Sequence, residues 1–239
     1  MTKTDEGAGR VALISGASRG IGLASARTLL DCGWRVSVGT RQPVAALADY
    51  SADRYHRAYF NALDVASEID WVNAAHAHFG RIDAIVHNAG MPSRKTVITA
   101  SEADVDEIFT VNVKSPLRLT QHVWPHLQTA PQGKVVIIAS LAGKRVRDPV
   151  GGLYSMSKAA VLMLAHAIRH AGAEHRIRCT AICPGPVNTD MALSVMGKAI
   201  GPQLTQPEDI ANIVRLVLEL PATASVAEIP VNWQVETAF

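Results

Sequence analysis

Tyr154 and Lys158 stand four residues apart in a stretch of helical patterning, so they share one helix face. A tyrosine with a reference pKa near 10 is a poor base at neutral pH. A nearby ammonium favours the phenolate and lowers that pKa. The pair is therefore suited to moving a proton: the phenol gives it to an oxygen that is gaining electrons and takes it back in the reverse direction. Taken singly, each residue has a plainer reading, a packed aromatic at a helix start and a solvated cation.

A second chemical feature is Ser15-Gly16-Ala17-Ser18-Arg19-Gly20-Ile21-Gly22, which joins an apolar run to a helical segment. Glycines here permit a tight turn and the close approach of a phosphate. The helix that follows offers free N–H groups and the positive end of its dipole. The spacing is Gly-x-x-x-Gly-x-Gly, and a glycine cluster by itself marks only a turn with close helix–strand packing. Directly after the first strand and opening a helix, it predicts a dinucleotide site. Gly16, Ser18, Arg19, Gly20, Ile21 and Gly22 would form that site.

The elements that must position these residues follow from periodicity. Strands are expected at Val11–Ser15, Arg35–Gly39, Arg57–Leu63, Ala84–His87, Lys134–Ala139, Arg178–Cys183 and Ala227–Val231. Helices are expected at Ile21–Cys32, Val44–Tyr50, Glu68–Phe79, Glu102–Gln128, Tyr154–Ala171 and Pro207–Leu220, with Pro116 and Pro125 limiting or bending the long one. Parallel neighbours need crossover helices. The expected fold is α/β, a doubly wound parallel sheet (Rossmann-like) of about seven strands with helices on both faces. No linker, repeat or low-complexity tract is visible, so residues 1–239 are expected to form one domain with 1–10 as a loose tail. Leu141–Leu153 and Val187–Gln206 are long irregular stretches after strand C-termini, where such sheets bind ligands.

Composition narrows the classes. The chain is 48% hydrophobic and 18% charged, which argues against extensive disorder, and a formal charge of +2 gives no case for nucleic acid or an anionic membrane. No apolar stretch is long enough to span a bilayer, and the polar residues 1–10 do not read as a signal peptide. Cys179 and Cys183 in one strand would lie roughly 13 Å apart, too far for a disulfide. Free thiols point to the cytoplasm. His166 and His170 share a helix face as metal ligands could, but no carboxylate or cysteine completes a site, so no metal is expected. His76 and His78 are two apart and face different sides of their helix.

These residues together resemble the single-domain short-chain dehydrogenase/reductase family. The glycine turn is similar to that family's cofactor turn. His87-Asn88-Ala89-Gly90 is similar to its Asn-Asn-Ala-Gly motif, with His87 in place of the first asparagine. Asn112 resembles the family's helix asparagine, Ser140 its catalytic serine, and Tyr154-Ser155-Met156-Ser157-Lys158 its Tyr-x-x-x-Lys signature. Pro184, Gly185, Val187 and Thr189 resemble the segment that caps the nicotinamide. The Ser140–Tyr154 interval is slightly longer than usual, and the C-terminus lacks the family's common Gly-Gly ending.

The resemblance implies a catalytic set of Asn112, Ser140, Tyr154 and Lys158. Ser140 would hold the carbonyl oxygen, Lys158 would reach the cofactor ribose, and Asn112 would hold a water linking Lys158 to a proton relay. Asn88, Ala89 and Gly90 would line the cofactor, and Asp64-Val65 would contact adenine; the competing reading of Asp64 is a helix N-terminal carboxylate. The reaction implied is carbonyl reduction or alcohol oxidation with a nicotinamide cofactor. An NAD-preferring alcohol dehydrogenase, nucleotide-sugar epimerase or dehydratase chemistry, and a cofactor-sensing regulator or binding module are the alternatives. A homodimer or homotetramer is implied, and Glu102–Gln128 and Tyr154–Ala171 carry apolar positions beyond one stripe, as a second buried face would require. The apolar C-terminal end, with Ile229, Val231, Trp233, Val235 and Phe239, suggests burial or a subunit contact.

NADP(H) is the expected cofactor. A carboxylate about twenty residues past the glycine turn would bond the free 2′-hydroxyl of NAD. Thr40 holds that position, and threonine can donate to a 2′-phosphate. Arg41 follows, able to pair with phosphate, and Arg19 could approach from the glycine turn. Lys144, Arg145 and Arg147 cluster between Ser140 and Tyr154. They read as a solvated basic loop or, if they face the cleft, as a site for an anionic substrate group.

Overall fold

The structure is a computed structural model and describes residues 9–235. Seven parallel strands form one sheet in the order β3-β2-β1-β4-β5-β6-β7. They are β1 (Val11–Ser15), β2 (Arg35–Thr40), β3 (Tyr55–Tyr59), β4 (Ala84–His87), β5 (Lys134–Ile138), β6 (Arg178–Pro184) and β7 (Glu228–Val231). The helices are α1 (Gly20–Asp31), α2 (Val65–Phe79), α3 (Glu102–Phe109), α4 (Ser115–Thr129), α5 (Gly152–Ala171), α6 (Asp190–Met196) and α7 (Pro207–Glu219). The order reverses between β1 and β4, and a crevice at such a point is where open α/β sheets take ligands.

Strand side chains alternate between faces, and each face has its own core. Leu13, Ile85, Val135 and Ile137 point to one side, against Trp71 of α2, Leu119 and Val123 of α4 and Val161 of α5. Ala12, Ile14, Val36, Val38 and Val86 point to the other, against Leu29 and Leu30 of α1 and Ile210 and Val214 of α7. The buried Glu68 of α2 makes a bidentate pair with Arg118 of α4, 2.7 Å on each oxygen, tying two crossover helices together.

Several expectations are corrected. β3 begins two residues earlier and ends four earlier than expected, because Asn61 and Asp64 turn the chain into α2: Asp64 N–H donates to Asn61 O at 2.8 Å. The expected helix at Val44–Tyr50 is a single 3-10 turn, Ala45–Leu47. The long helix at Glu102–Gln128 is three pieces, with a π turn at Thr110–Lys114 between α3 and α4. The irregular stretch Val187–Gln206 contains α6. Of the loose tail, Gly9 and Arg10 are held: the Arg35 guanidinium donates to Gly9 O at 2.6 Å, and Arg10 lies 4.4 Å over the Trp34 ring. Residues 1–8 lie outside the described residues, as does Phe239. No helix of the described residues is long and apolar enough to cross a membrane.

Candidate active site

The C-terminal ends of β1, β4, β5 and β6 carry the site. After Ser15 the chain turns through Gly16 (φ +71°) and Gly20 (φ +55°), left-handed conformations that glycine adopts without strain. A Cβ on Gly16 would lie 2.9 Å from Ala89 Cα, and one on Gly22 would lie 2.5 Å from Asn88 Nδ2. Close approach is thus built in, and Asn88 secures it by donating to Ser15 O (3.1 Å) and Gly16 O (2.9 Å). Ser15 Oγ accepts from the N–H groups of Asn88 and Ala89, 3.1 Å each. Arg19 is the N-cap of α1, yet no side chain caps the helix and its first turn has no acid. The first-turn N–H groups and the dipole stay available to an anion, so the turn fits the pyrophosphate of a dinucleotide.

Asn112 lies in the π turn, a distortion that often accompanies functional sites. It is buried, and its side chain is fully used. Nδ2 donates to Met91 O (3.0 Å) and Ser157 Oγ (2.9 Å), and Oδ1 accepts from Met91 N (2.9 Å). It therefore clamps the segment after β4 to α5. Gly90 lies beside this clamp, where a Cβ would sit 3.3 Å from Asn112 Oδ1 and 3.7 Å from Lys158 Nζ.

Ser140 lies two residues past the end of β5, opening a 3-10 turn, and its side chain acts on the Tyr154 phenol, pulling the phenol's pKa down. Ser140 Oγ also approaches Pro184 O at 3.3 Å and accepts from Ala142 N at 3.1 Å. Lys158 is buried, its Nζ 5.7 Å from the centre of the Tyr154 ring and donating to Ile138 O at 2.9 Å. In the cofactor-free chain burial, and not the ammonium, dominates the Tyr154 pKa. Burial pushes the phenol up to about 12 against the pull of Ser140. Burial also takes Lys158 down to about 8. Burial is the largest influence on both groups, disfavouring the charged form of each.

On the adenosine side, Thr40 is buried at the end of β2, and its hydroxyl donates to Gln42 O at 2.8 Å. That corrects the expectation of a free donor, since the proton is spent on the backbone. Arg57 of β3, which sequence reasoning missed, donates to Thr40 Oγ1 (3.3 Å) and Thr40 O (3.1 Å). Arg41 is exposed beside it, while Arg19 pairs with Asp190 at 3.1 Å. Asp64 takes the alternative reading: it caps α2, accepting from Ala66 N (3.1 Å) and Ser67 N (3.4 Å). Val65 beside it is exposed, as are Ser18 of the glycine turn and, in part, Ile21.

Pro184 ends β6. Gly185 passes so close to Asn232 after β7 that a Cβ would meet its Oδ1 at 2.3 Å. Val187 is buried, pairs with Thr205 in an isolated bridge, and accepts from the Thr189 hydroxyl at 3.2 Å. Lys144 is paired with Glu228 of β7, whose other oxygen lies 2.7 Å from His166 Nε2. Lys144 is thus committed away from the substrate role considered for the basic loop. Ser15 and Ser157 could have been found from their places inside the two motifs, and Asp190 from its place next to Thr189. Nothing in the sequence marks Arg57.

A parallel sheet with an open helix N-terminus at its switch point, and a Ser–Tyr–Lys group one strand further on, defines a doubly wound fold of the dinucleotide-binding class. The comparisons agree. A family model described as short chain dehydrogenase matches residues 10–198. The chain is 37% identical to the agropine synthesis reductase of Rhizobium rhizogenes, over 90% of this chain and 50% of that protein. It is 33% identical to oxidoreductase UcpA of Escherichia coli, over 86% of this chain and 78% of that protein. A solved short-chain dehydrogenase/reductase from Serratia marcescens superposes with a TM-score of 0.84 at 24% identity, covering 95% of this chain and 97% of that one. The chain belongs to the short-chain dehydrogenase/reductase family, whose members use nicotinamide cofactors and act on small molecules. It spans about half the length of the agropine synthesis reductases that it matches.

Proposed function

We propose that this chain is an NADP(H)-dependent oxidoreductase that interconverts a carbonyl and a secondary or primary alcohol, with Tyr154 as the acid/base. The observation that carries the reading is the buried Lys158 ammonium 5.7 Å from the Tyr154 ring, with Ser140 acting on the same phenol. Two hydroxyls converge where a substrate oxygen can be held by one and protonated by the other. Lys158 would bind the cofactor ribose, and Asn112 holds α5 and the segment after β4 in register. When bound, the nicotinamide supplies or accepts the hydride. A phenol raised to about 12 is neutral at neutral pH, which is the form that reduction needs. Alcohol oxidation needs the phenolate and should therefore rise with pH.

The preference for NADP rests on Arg41 and Arg19 and on the lack of a carboxylate at position 40. Arg57 adds a third cation behind Thr40. Gly16, Ser18, Gly20, Ile21 and Gly22 would cradle the pyrophosphate. Val65 and Ala89 would flank adenine, with Asp64 near it as the cap of α2. Asn88 and Gly90 would shape the floor of the cleft, and Pro184, Gly185, Val187 and Thr189 would cap the nicotinamide. Exposed Leu117 on α4 and Met156 and Met163 on α5 support a homodimer or homotetramer, which light scattering at micromolar concentration tests. Three free cysteines suit a cytoplasmic setting.

The test is cofactor consumption against a panel of carbonyls, with catalytic efficiency compared for NADPH and NADH. Wild type should favour NADPH, Thr40→Asp should move the preference toward NADH, and Arg41→Ala should weaken it. A wild type that works better with NADH overturns the cofactor assignment. Binding without turnover across the whole panel favours a cofactor sensor instead.

A further inference from the structure

Arg19 opens α1 with extended backbone, and its guanidinium is 72% exposed. It is not idle: Nη1 lies 3.1 Å from Oδ2 of Asp190, itself 72% exposed and the first residue of α6. Asp190 comes directly after Thr189, whose methyl group rests on the glycine turn; a Cβ on Gly20 would lie 3.0 Å from it. The same stretch is anchored further along by Asn188, whose N–H donates to Thr205 O at 2.8 Å and whose amide donates to Gln206 Oε1 at 2.8 Å. A cavity of about 230 Å³ lies against this contact, with Arg27 and Glu208 among its lining residues. The loop after β6 and the turn after β1 thus meet through one cation and one carboxylate at the mouth of the cleft.

We propose that Asp190 is an intramolecular competitor for the 2′-phosphate of the cofactor, holding Arg19 until that phosphate displaces it. The inference rests on the reading of Arg19 as a phosphate ligand. A phosphate monoester carries up to two negative charges and three acceptor oxygens, so it outbids one carboxylate for a guanidinium. It also repels the carboxylate once it is seated. A dinucleotide without the 2′-phosphate has no such claim on Arg19 and leaves the Arg19–Asp190 contact made. Asp190 therefore lowers affinity for the phosphorylated cofactor selectively. By linkage, phosphate binding releases the start of α6 from the glycine turn. An exposed pair of this kind is modest and is screened by salt. The effect expected from removing it is about two- to fivefold at low ionic strength.

The test is binding, not turnover. Calorimetric titration with 2′,5′-ADP and with 5′-AMP, which differ by the 2′-phosphate alone, isolates the term; NADPH and NADH repeat it with whole cofactors. Asp190→Asn should tighten 2′,5′-ADP about two- to fivefold and change 5′-AMP less than about 1.5-fold. High salt should shrink the difference. Arg19→Gln should weaken 2′,5′-ADP, and adding Asp190→Asn to that variant should have a much smaller effect, the residual repulsion alone. Asp190→Ala should act in the same direction as Asn. Equal changes for both nucleotides in Asp190→Asn, or an undiminished effect in the Arg19→Gln background, overturn the proposal. The wild-type preference for 2′,5′-ADP over 5′-AMP tests the underlying NADP reading separately. A wild type with no such preference sinks that reading, while the change of ratio in Asp190→Asn still decides this one.

Discussion

Two helices of this sheet begin in the same way, directly after a strand, and end up with different work. α2 is capped by Asp64, which occupies the N–H groups of Ala66 and Ser67, and Glu68 sits in its first turn. α1 has no capping side chain and no acid, and three glycines lie in or beside the turn that opens it. At α2 the chain satisfies its own orphan donors and gains stability. At α1 it leaves them open, and the turn is held by Asn88 and Ser15 reaching across from β4 and β1. A helix N-terminus left uncapped, with its turn braced from behind, suits the anion that the proposed function puts there. The residues that cap and those that brace differ in position, and only the braced end leaves its N–H groups without a side-chain partner.

The largest effect should come from separating the chemistry from that open end. Tyr154→Phe should reduce turnover by about 10²–10⁴-fold while cofactor affinity, measured by fluorescence titration, stays within about twofold. Near-normal activity in this variant would remove Tyr154 from the mechanism, and a parallel loss of binding would mean that the two regions are not independent.

The strand that braces α1 carries the next test. His87 of β4 is buried. Its Nε2 donates to Thr120 Oγ1 at 2.8 Å, because the Thr120 hydroxyl hydrogen is spent on Pro116 O. Burial drives its pKa down to about 3. The unfolded chain, with a histidine pKa near 6.5, therefore binds more protons between those values. The contribution of His87 to stability should fall as pH drops below about 6.5, by up to roughly 1.4 kcal/mol per pH unit, and level off near 3. His87→Asn should remove one proton's worth of that slope in denaturant unfolding at a series of pH values. An unchanged slope would assign the acid sensitivity to His56 and His126, which burial also shifts down.

Removing the cap from α2 should cost about 1 kcal/mol. Asp64→Ala should lower the unfolding midpoint accordingly and change the cofactor KM by less than about threefold. A loss of cofactor affinity of tenfold or more would return Asp64 to an adenine-binding role and blunt the contrast between the two helices. The smallest effect comes from giving α1 the kind of cap that α2 has. Arg19→Asn and Arg19→Gln both lose the guanidinium, but only Asn is a good N-cap. The Asn variant should be more stable than the Gln variant by about 0.5–1 kcal/mol and bind NADH a fewfold more weakly, because its side chain takes N–H groups meant for the ligand. Equal binding by the two variants would show that those N–H groups are not part of the site.

Most of the architecture was legible because it rests on short-range patterns. Apolar runs of four to six residues, separated by helical periodicity, read directly as crossover units, and the parallel seven-stranded sheet follows from them. The glycine turn and the Tyr154/Lys158 pair stand out because each depends on local spacing, whereas Ser140 is marked only by the family resemblance. The π turn at Thr110–Lys114 was not legible, since one extra residue in a turn barely alters a hydrophobic stripe, although it is this turn that swings Asn112 between Met91 and Ser157. The end of β3 was misjudged because apolar Phe60 and Leu63 continue a strand-like pattern past the point where Asn61 and Asp64 bend the chain.

By itself, then, the sequence determined which residue types could do chemistry, their order along the chain and the alternation that brings strand ends together. Those properties depend on neighbours a few positions apart. Tertiary structure decided the rest, through contacts between residues far apart in the chain. Arg57 takes up Thr40 from the adjacent strand, Asp190 holds Arg19 across 171 positions, and Glu228 draws Lys144 away from the cleft. Burial, equally a tertiary property, raises the Tyr154 pKa and lowers that of Lys158, where spacing alone suggested a lowered phenol. The cost of removing a charge from water depends on everything packed around it, and no local pattern encodes that.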